Sequence, residues 1–148
     1  MKKHKYGVAP KPERTLEGVT YQSKAEMQRA AQLKYMVTSC GWIVTPQPRF
    51  TLGCPENVYV ADFHIIDKGG EWFYNCDPAI NLTEWVEDVK GFETAKFRHD
   101  VKLWKKYGVC PLIILSRRGS TWTRRVILPA TFADAQRHLL SSHERHIF

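Results

Sequence analysis

Cysteine is sparse and unpatterned: Cys40, Cys54, Cys76 and Cys110 contain no CxxC pair. That speaks against a disulfide framework or a zinc ribbon and for reduced thiols. Long apolar runs are missing as well. No stretch approaches the roughly 18 uninterrupted apolar residues that a membrane-spanning helix requires, and the opening MKKHKYGVAPKPER is basic without the apolar core of a signal peptide. A membrane role is not expected, and a cytoplasmic location is. With no internal repeats and no low-complexity tracts, solenoids and disordered scaffolds are set aside. Acidic residues are in deficit: 15 Asp and Glu stand against 22 Lys and Arg, a formal charge of +7. The imbalance suits a polyanionic partner bound through phosphate contacts and counterion release, and it equally suits a solvated cationic face.

What is present is enough for one core. A chain of 148 residues with 43% hydrophobic and 12% aromatic content fills a single domain and is short for two. Residues 1–18, rich in Lys, Pro and Gly, read as a basic flexible arm, placed along phosphates or merely solvated. Residues 19–148 read as the domain.

Within it, SKAEMQRAAQLKYMV starts at Ser23, stops before Gly41 and is expected to be helical. WIVTPQPRFTL, broken by Pro46 and Pro48, suits an interrupted or edge strand, and VYVADFHII a further strand. Residues 67–83 contain Gly69-Gly70 and Asp77-Pro78 and read as a long connection with room for a short hairpin. TEWVEDVKG supplies another strand. In ETAKFRHDVKLWKKYG, Phe97, Val101 and Trp104 recur at helical spacing and Gly108 is the stop signal. VCPLIIL then reads as a strand buried on both faces. Residues 117–120 are expected to turn, WTRRVIL to add a strand, and TFADAQRHLLSSHERH, capped by Thr131, to form a terminal helix.

The chemistry-bearing residues are Asp62 in YVADF and Asp88 and Lys90 in WVEDVKG. Alternate residues of a strand share a face, so Asp88 and Lys90 project together while Glu87 and Val89 point the other way. A register shifted by one would instead turn Glu87 toward the site. If the strand of Asp62 lies alongside, two carboxylates meet one ammonium. Two acids of that kind hold magnesium, which polarises a phosphoryl oxygen and helps deprotonate water, while a lysine stabilises the developing charge or orients the attacking water. The plain alternative is a cross-strand ion pair. Against it, both acids interrupt apolar strands, where an unpaired carboxylate is costly.

Glu26 carries two readings. Ser23-Lys24-Ala25-Glu26 fits a capping box, the simpler assignment. Glu26 also shares a helical stripe with Ala30, Leu33 and Val37, which would turn it toward the sheet and the site. Downstream, Lys96, Arg98, His99, Lys102, Lys105 and Lys106 offer phosphate contacts or a solvated basic face. His138, His143 and His146 lack a metal-ligand pattern, and the five Trp residues read as core or interface anchors, with Trp72 and Trp122 the ones whose exposure would suggest base stacking.

The succession SKAE, PQPRF, YVADF and VEDVKGFETAKFRHDVKLWKKYG resembles a family of small phage and prophage proteins assigned to the PD-(D/E)xK nuclease superfamily. The likeness covers roughly residues 5–116, and the ordered set is far more specific than the short DxK alone. The resemblance implies a restriction-endonuclease-like α/β fold: a central mixed sheet in the order αβββαβ, followed here by a C-terminal strand and helix. It implies a nuclease related to archaeal Holliday-junction resolvases and phage endonuclease I, in the host cytoplasm if phage-encoded, with magnesium or manganese and no organic cofactor. Asp62 then matches the acid of the second core strand, Asp88 and Lys90 the (D/E)xK pair, and Glu26 the acid of the first helix. Asp62, Asp88 and Glu26 would be the metal ligands, and Lys96, Arg98, Lys102 and Gln47 would face DNA, Gln47 having a structural role as its alternative. Related resolvases are dimers, so a homodimer is expected. The connection 67–83 and the tail after Ser116 lie outside the minimal core. A catalytically silent DNA-binding or protein-interaction module on the same fold is the rival reading.

Overall fold

In a computed structural model, residues 7–69 and 83–132 are described. A 3-10 helix (Lys11–Arg14) leads into strands β1 (Thr15–Leu16) and β2 (Val19–Thr20), helix α1 (Lys24–Cys40) and strand β3 (Ile43–Pro46). There follow β4 (Arg49–Thr51), β5 (Val58–Val60), β6 (Phe63–Ile66), β7 (Glu84–Val89), helix α2 (Ala95–Tyr107), β8 (Leu112–Arg118) and β9 (Thr121–Ile127).

Both helices start and stop on local chemistry. Ser23 is extended and its Oγ accepts the Glu26 N–H at 3.0 Å, while Gly41 takes the left-handed conformation (φ 69°) and returns its N–H to Met36. Thr94 caps α2 in the same way, accepting from Phe97 N at 3.1 Å. Gly108 ends α2 for a different reason. Its φ is ordinary, but a Cβ there would stand 2.5 Å from Trp104 Nε1, which donates to Cys110 O.

Five strands form one mixed sheet in the order β3-β6-β7-β8-β9, antiparallel throughout except for the parallel β7–β8 pair. That parallel pair needs a crossover, and α2 supplies it. Each face of the sheet carries its own core. Ala30 and Leu33 of α1 meet Phe63, Ile65, Trp85, Val89, Ile113 and Leu115 on one side. Phe97, Val101 and Trp104 of α2 meet Val86, Leu112 and Ile114 on the other, joined by Tyr59 and Leu52 from the β4–β5 ribbon. Central β7 is therefore buried on both faces, and acids on it stand either under α1 or under α2.

The protein is thus mixed α/β, with the helix, strand, helix, strand succession expected. Four details differ. VYVADFHII is two strands rather than one: β5 pairs with β4, β6 joins the main sheet, and Asp62 stands in the break instead of on a core strand. The chain must leave the β4–β5 ribbon to enter the sheet, so one long strand is not possible. From Lys11 the supposed arm is structured: the β1–β2 hairpin follows the 3-10 helix, and the Arg14 guanidinium donates to Tyr21 O. Arg117 and Arg118 extend β8, leaving Gly119 and Ser120 as the turn, with Gly119 at φ 61°. Val37 lies exposed, off the buried stripe of α1. The connection beyond residue 69, the terminal helix beyond Phe132, Trp72, Cys76 and the three C-terminal histidines lie outside the described residues.

Candidate active site

The site is built at the C-terminal end of β7. Pairing with β8 runs Val86↔Leu112, Asp88↔Ile114, so Asp88 faces α2 with Val86, whereas Glu87 turns under α1. The two possible registers are thereby separated. Glu87 accepts from Arg29 Nε and Nη2 at 2.7 and 2.6 Å and from Trp85 Nε1 at 3.0 Å, on the side away from Lys90.

Asp88 has no solvent exposure. Its Oδ2 accepts the Tyr59 hydroxyl, and its Oδ1 lies 2.6 Å from Lys90 Nζ without a directed hydrogen bond from any group. Lys90 follows the strand, its N–H bonded to Leu115 O and its ammonium 4.9 Å from the centre of the Phe97 ring. The DxK spacing therefore does what alternation requires, bringing acid and ammonium together on one face.

Asp62 is set by backbone bonds on both sides. Its N–H donates to Glu87 O at 3.2 Å, its carbonyl accepts Gln47 N–H at 2.9 Å, and its Oδ2 accepts Val89 N–H at 2.7 Å. The carboxylate is thus pinned to the backbone between Asp88 and Lys90. Gln47, held at a positive φ of 48°, lines a cleft of about 290 Å3 with Gln22, Glu26, Pro46 and Asp62.

Glu26 meets both sequence readings at once. Its N–H is capped by Ser23, and its Oε2 accepts Gln22 N–H at 2.9 Å, so it closes the first turn. It is also 5% exposed and stands in the field of Lys90 and Asp88.

Among the described residues, three carboxylates meet one ammonium in a largely buried site, a formal excess of two negative charges. The consequence is a raised affinity for positive charge. Burial, then Asp88, then Glu26 push Asp62 up to about 8, against the lowering effect of Val89 N–H and Lys90. Burial likewise raises Glu26. Metal-free, the group takes up protons; hard oxygen donors, a buried Asp88 oxygen held by the Lys90 ammonium without a directed hydrogen bond, and the formal charge excess among the described residues fit a divalent cation such as magnesium or manganese.

Of the residues expected from sequence, Glu26, Asp62, Asp88, Lys90 and Gln47 are brought together. Lys96, Arg98 and Lys102 are exposed on α2, with Lys96 2.8 Å from Asp100 and Arg98 bonded to Glu93 O. Tyr59 and Arg29 were not foreseen. Tyr59 precedes Asp62 by three residues and Arg29 follows Glu26 by three, spacings that hint at a shared neighbourhood without naming a partner.

Two other places among the described residues gather polar side chains. His64, Glu84 and Cys110 hold ligand atoms within 4.8 Å of one another, tighter than the three carboxylates. There His64 Nε2 and Glu84 Oε1 already pair at 2.8 Å, and burial pushes the Cys110 thiol up to about 12, so the group is satisfied as a hydrogen-bonded pair beside a neutral packed thiol. A second cleft of about 250 Å3, beside Trp122 and Arg124, holds the Arg29–Glu87 pair, whose charges answer each other.

Compared with known proteins, the chain matches no family model, no curated protein and no solved structure. No helix among the described residues is long and apolar enough to cross a membrane.

Proposed function

We propose that this protein is a divalent-metal-dependent DNA endonuclease of the PD-(D/E)xK type on a restriction-endonuclease-like fold. The observation that carries the reading is the excess of two negative charges at Glu26, Asp62 and Asp88 around the single ammonium of Lys90. Buried carboxylates without counter-charge are costly, and a site that retains them suits a cation taken up for use.

Asp62, Asp88 and Glu26 would hold magnesium or manganese, which supplies Lewis-acid polarisation of a phosphoryl oxygen and a more acidic water. The chain's own groups do the rest. Tyr59 and Val89 N–H orient the Asp88 and Asp62 carboxylates. Lys90, the one cation of the group among the described residues, neutralises charge building on the phosphate as water attacks phosphorus and the P–O bond to the leaving strand breaks. Lys96, Arg98 and Lys102 on exposed positions of α2 offer backbone contacts that place the duplex. Symmetric cutting by a homodimer fits this chemistry.

The test is cleavage of labelled linear, nicked and four-way-junction DNA in magnesium, manganese or EDTA. Wild type should cut only with metal, and Asp88→Asn and Lys90→Ala should both lose cutting. A folded wild-type protein that cuts no DNA under any condition would move the assignment to a silent binding module.

A further inference from the structure

Phe92 is 73% exposed, the most exposed large apolar side chain among the described residues, and it stands two residues after Lys90. Its exposure is built rather than accidental, because the chain is fastened on each side of it. Before it, Lys90 N–H donates to Leu115 O at 2.8 Å and Lys90 O accepts Ser116 Oγ at 2.9 Å. After it, Glu93 pairs with Arg125 at 2.5 Å, its carbonyl accepts Arg98 Nη1 at 3.0 Å, and Thr94 caps α2. A Cβ placed on Gly91 would meet nothing within 4 Å, so the residue between Lys90 and Phe92 also borders open space.

The surroundings select the chemistry of what covers the ring. Lys96 and Arg98 lie exposed on the first turn of α2, just beyond Phe92. A partner that brings negative charge to these cations and a flat apolar face to the phenyl is a nucleic acid with an accessible base. In a continuous duplex the base faces are hidden in the stack; an unpaired base offers one. Two residues of chain span at most about 7 Å, so the backbones of Lys90 and Phe92 lie within that distance and a base covering the ring is a near neighbour of a phosphate facing Lys90. We propose that Phe92 is a stacking platform for an unpaired nucleobase adjacent to the scissile phosphate, selecting DNA with a bulge, flap or branch over continuous duplex. This rests on the nuclease reading of the same site.

The test uses the full chain and two labelled duplexes identical except for one unpaired 2-aminopurine, with binding followed in calcium by anisotropy and by 2-aminopurine emission. Wild type should prefer the interrupted duplex by about tenfold, the scale of one base–aromatic stack, and quench the probe. Phe92→Ala should lose both effects with an unchanged melting temperature, and Phe92→Trp should keep them. The proposal is overturned if Phe92→Ala discriminates and quenches as wild type does, if wild type binds both duplexes alike, or if Phe92→Ala weakens both equally. The last result, with a smaller sedimenting species, would assign Phe92 to a contact between copies. If wild type cuts DNA and Asp88→Asn does not, while Phe92→Ala still discriminates, only the stacking role fails; if wild type binds neither duplex, the nuclease reading fails with it.

Discussion

Arg29 of α1 and Glu87 of β7 form a bidentate pair beneath the sheet, at 2.7 and 2.6 Å, with Glu87 only 1% exposed. Glu87 and Asp88 are chain neighbours on opposite faces, so this clamp holds the strand in the orientation that sends Asp88 to the site. It also draws the first turns of α1, and Glu26 with them, against the end of β7. Removing one partner leaves the other as an orphaned buried charge. Arg29→Met should therefore cost about 3–5 kcal/mol in urea unfolding, and the double variant Arg29→Met with Glu87→Met should recover much of it. A double variant as unstable as the single one would place the cost in packing.

Glu26→Gln separates capping from catalysis. Gln keeps an acceptor for the Gln22 N–H, so stability should change by about 0.5 kcal/mol at most. Metal-dependent cleavage should be lost, because one of the three carboxylates is gone. Wild-type rates in Glu26→Gln would leave it as a cap alone.

Tyr59→Phe removes the donor to Asp88 Oδ2 deep under α2. An acceptor left buried without a partner costs roughly 1–3 kcal/mol, to be read as a lower denaturation midpoint. Metal affinity should fall as well, since the phenol orients the carboxylate; metal titration of the variant measures it. An unchanged midpoint would mean the phenol contributes nothing net.

The pH dependence of the metal-free protein has a definite sign. Asp62 is raised from its ordinary range to about 8, and Glu26 is raised too, so the folded state binds more protons than the unfolded state between roughly pH 4 and 8. Stability from these groups is present at low pH and lost as pH rises through that window, at no more than about 1.4 kcal/mol per pH unit for each group. Unfolding in EDTA should show this fall, Asp62→Asn should flatten it, and saturating magnesium should offset it by binding the folded state. Stability that climbs with pH across the window would contradict the charge excess.

Exposed cations on α2 predict a salt signature. Each of Lys96→Ala, Arg98→Ala and Lys102→Ala should reduce the slope of log affinity against log salt by about 1 if its side chain meets a phosphate. An unchanged slope would assign that residue to the solvated face, with Lys96, already 2.8 Å from Asp100, the most exposed to that outcome.

Much of this arrangement was legible in the residues. Ser23 and Gly41 bracket α1, Gly108 ends α2, and the alternation of WVEDVK dictates that Asp88 and Lys90 share a face, because these depend on contacts a few residues apart. The ambiguity between Glu87 and Asp88 was not soluble at that level: a strand's alternation says that the two diverge, and only the helix bearing Arg29 says which goes where.

The amino-acid sequence by itself determined helices α1 and α2, the apolar strands β7 and β8 and the candidate residues, since caps, periodicity and side-chain chemistry are local properties. Tertiary structure alone decided that Asp62 sits in a break between sheets, that its carboxylate bonds Val89 N–H across 27 positions, and that Tyr59 reaches Asp88. It also decided that Glu26 caps a helix and joins the site at the same time. The physical reason is that a site's charge balance and burial arise from elements distant in sequence, and neither can be summed until packing has placed them together.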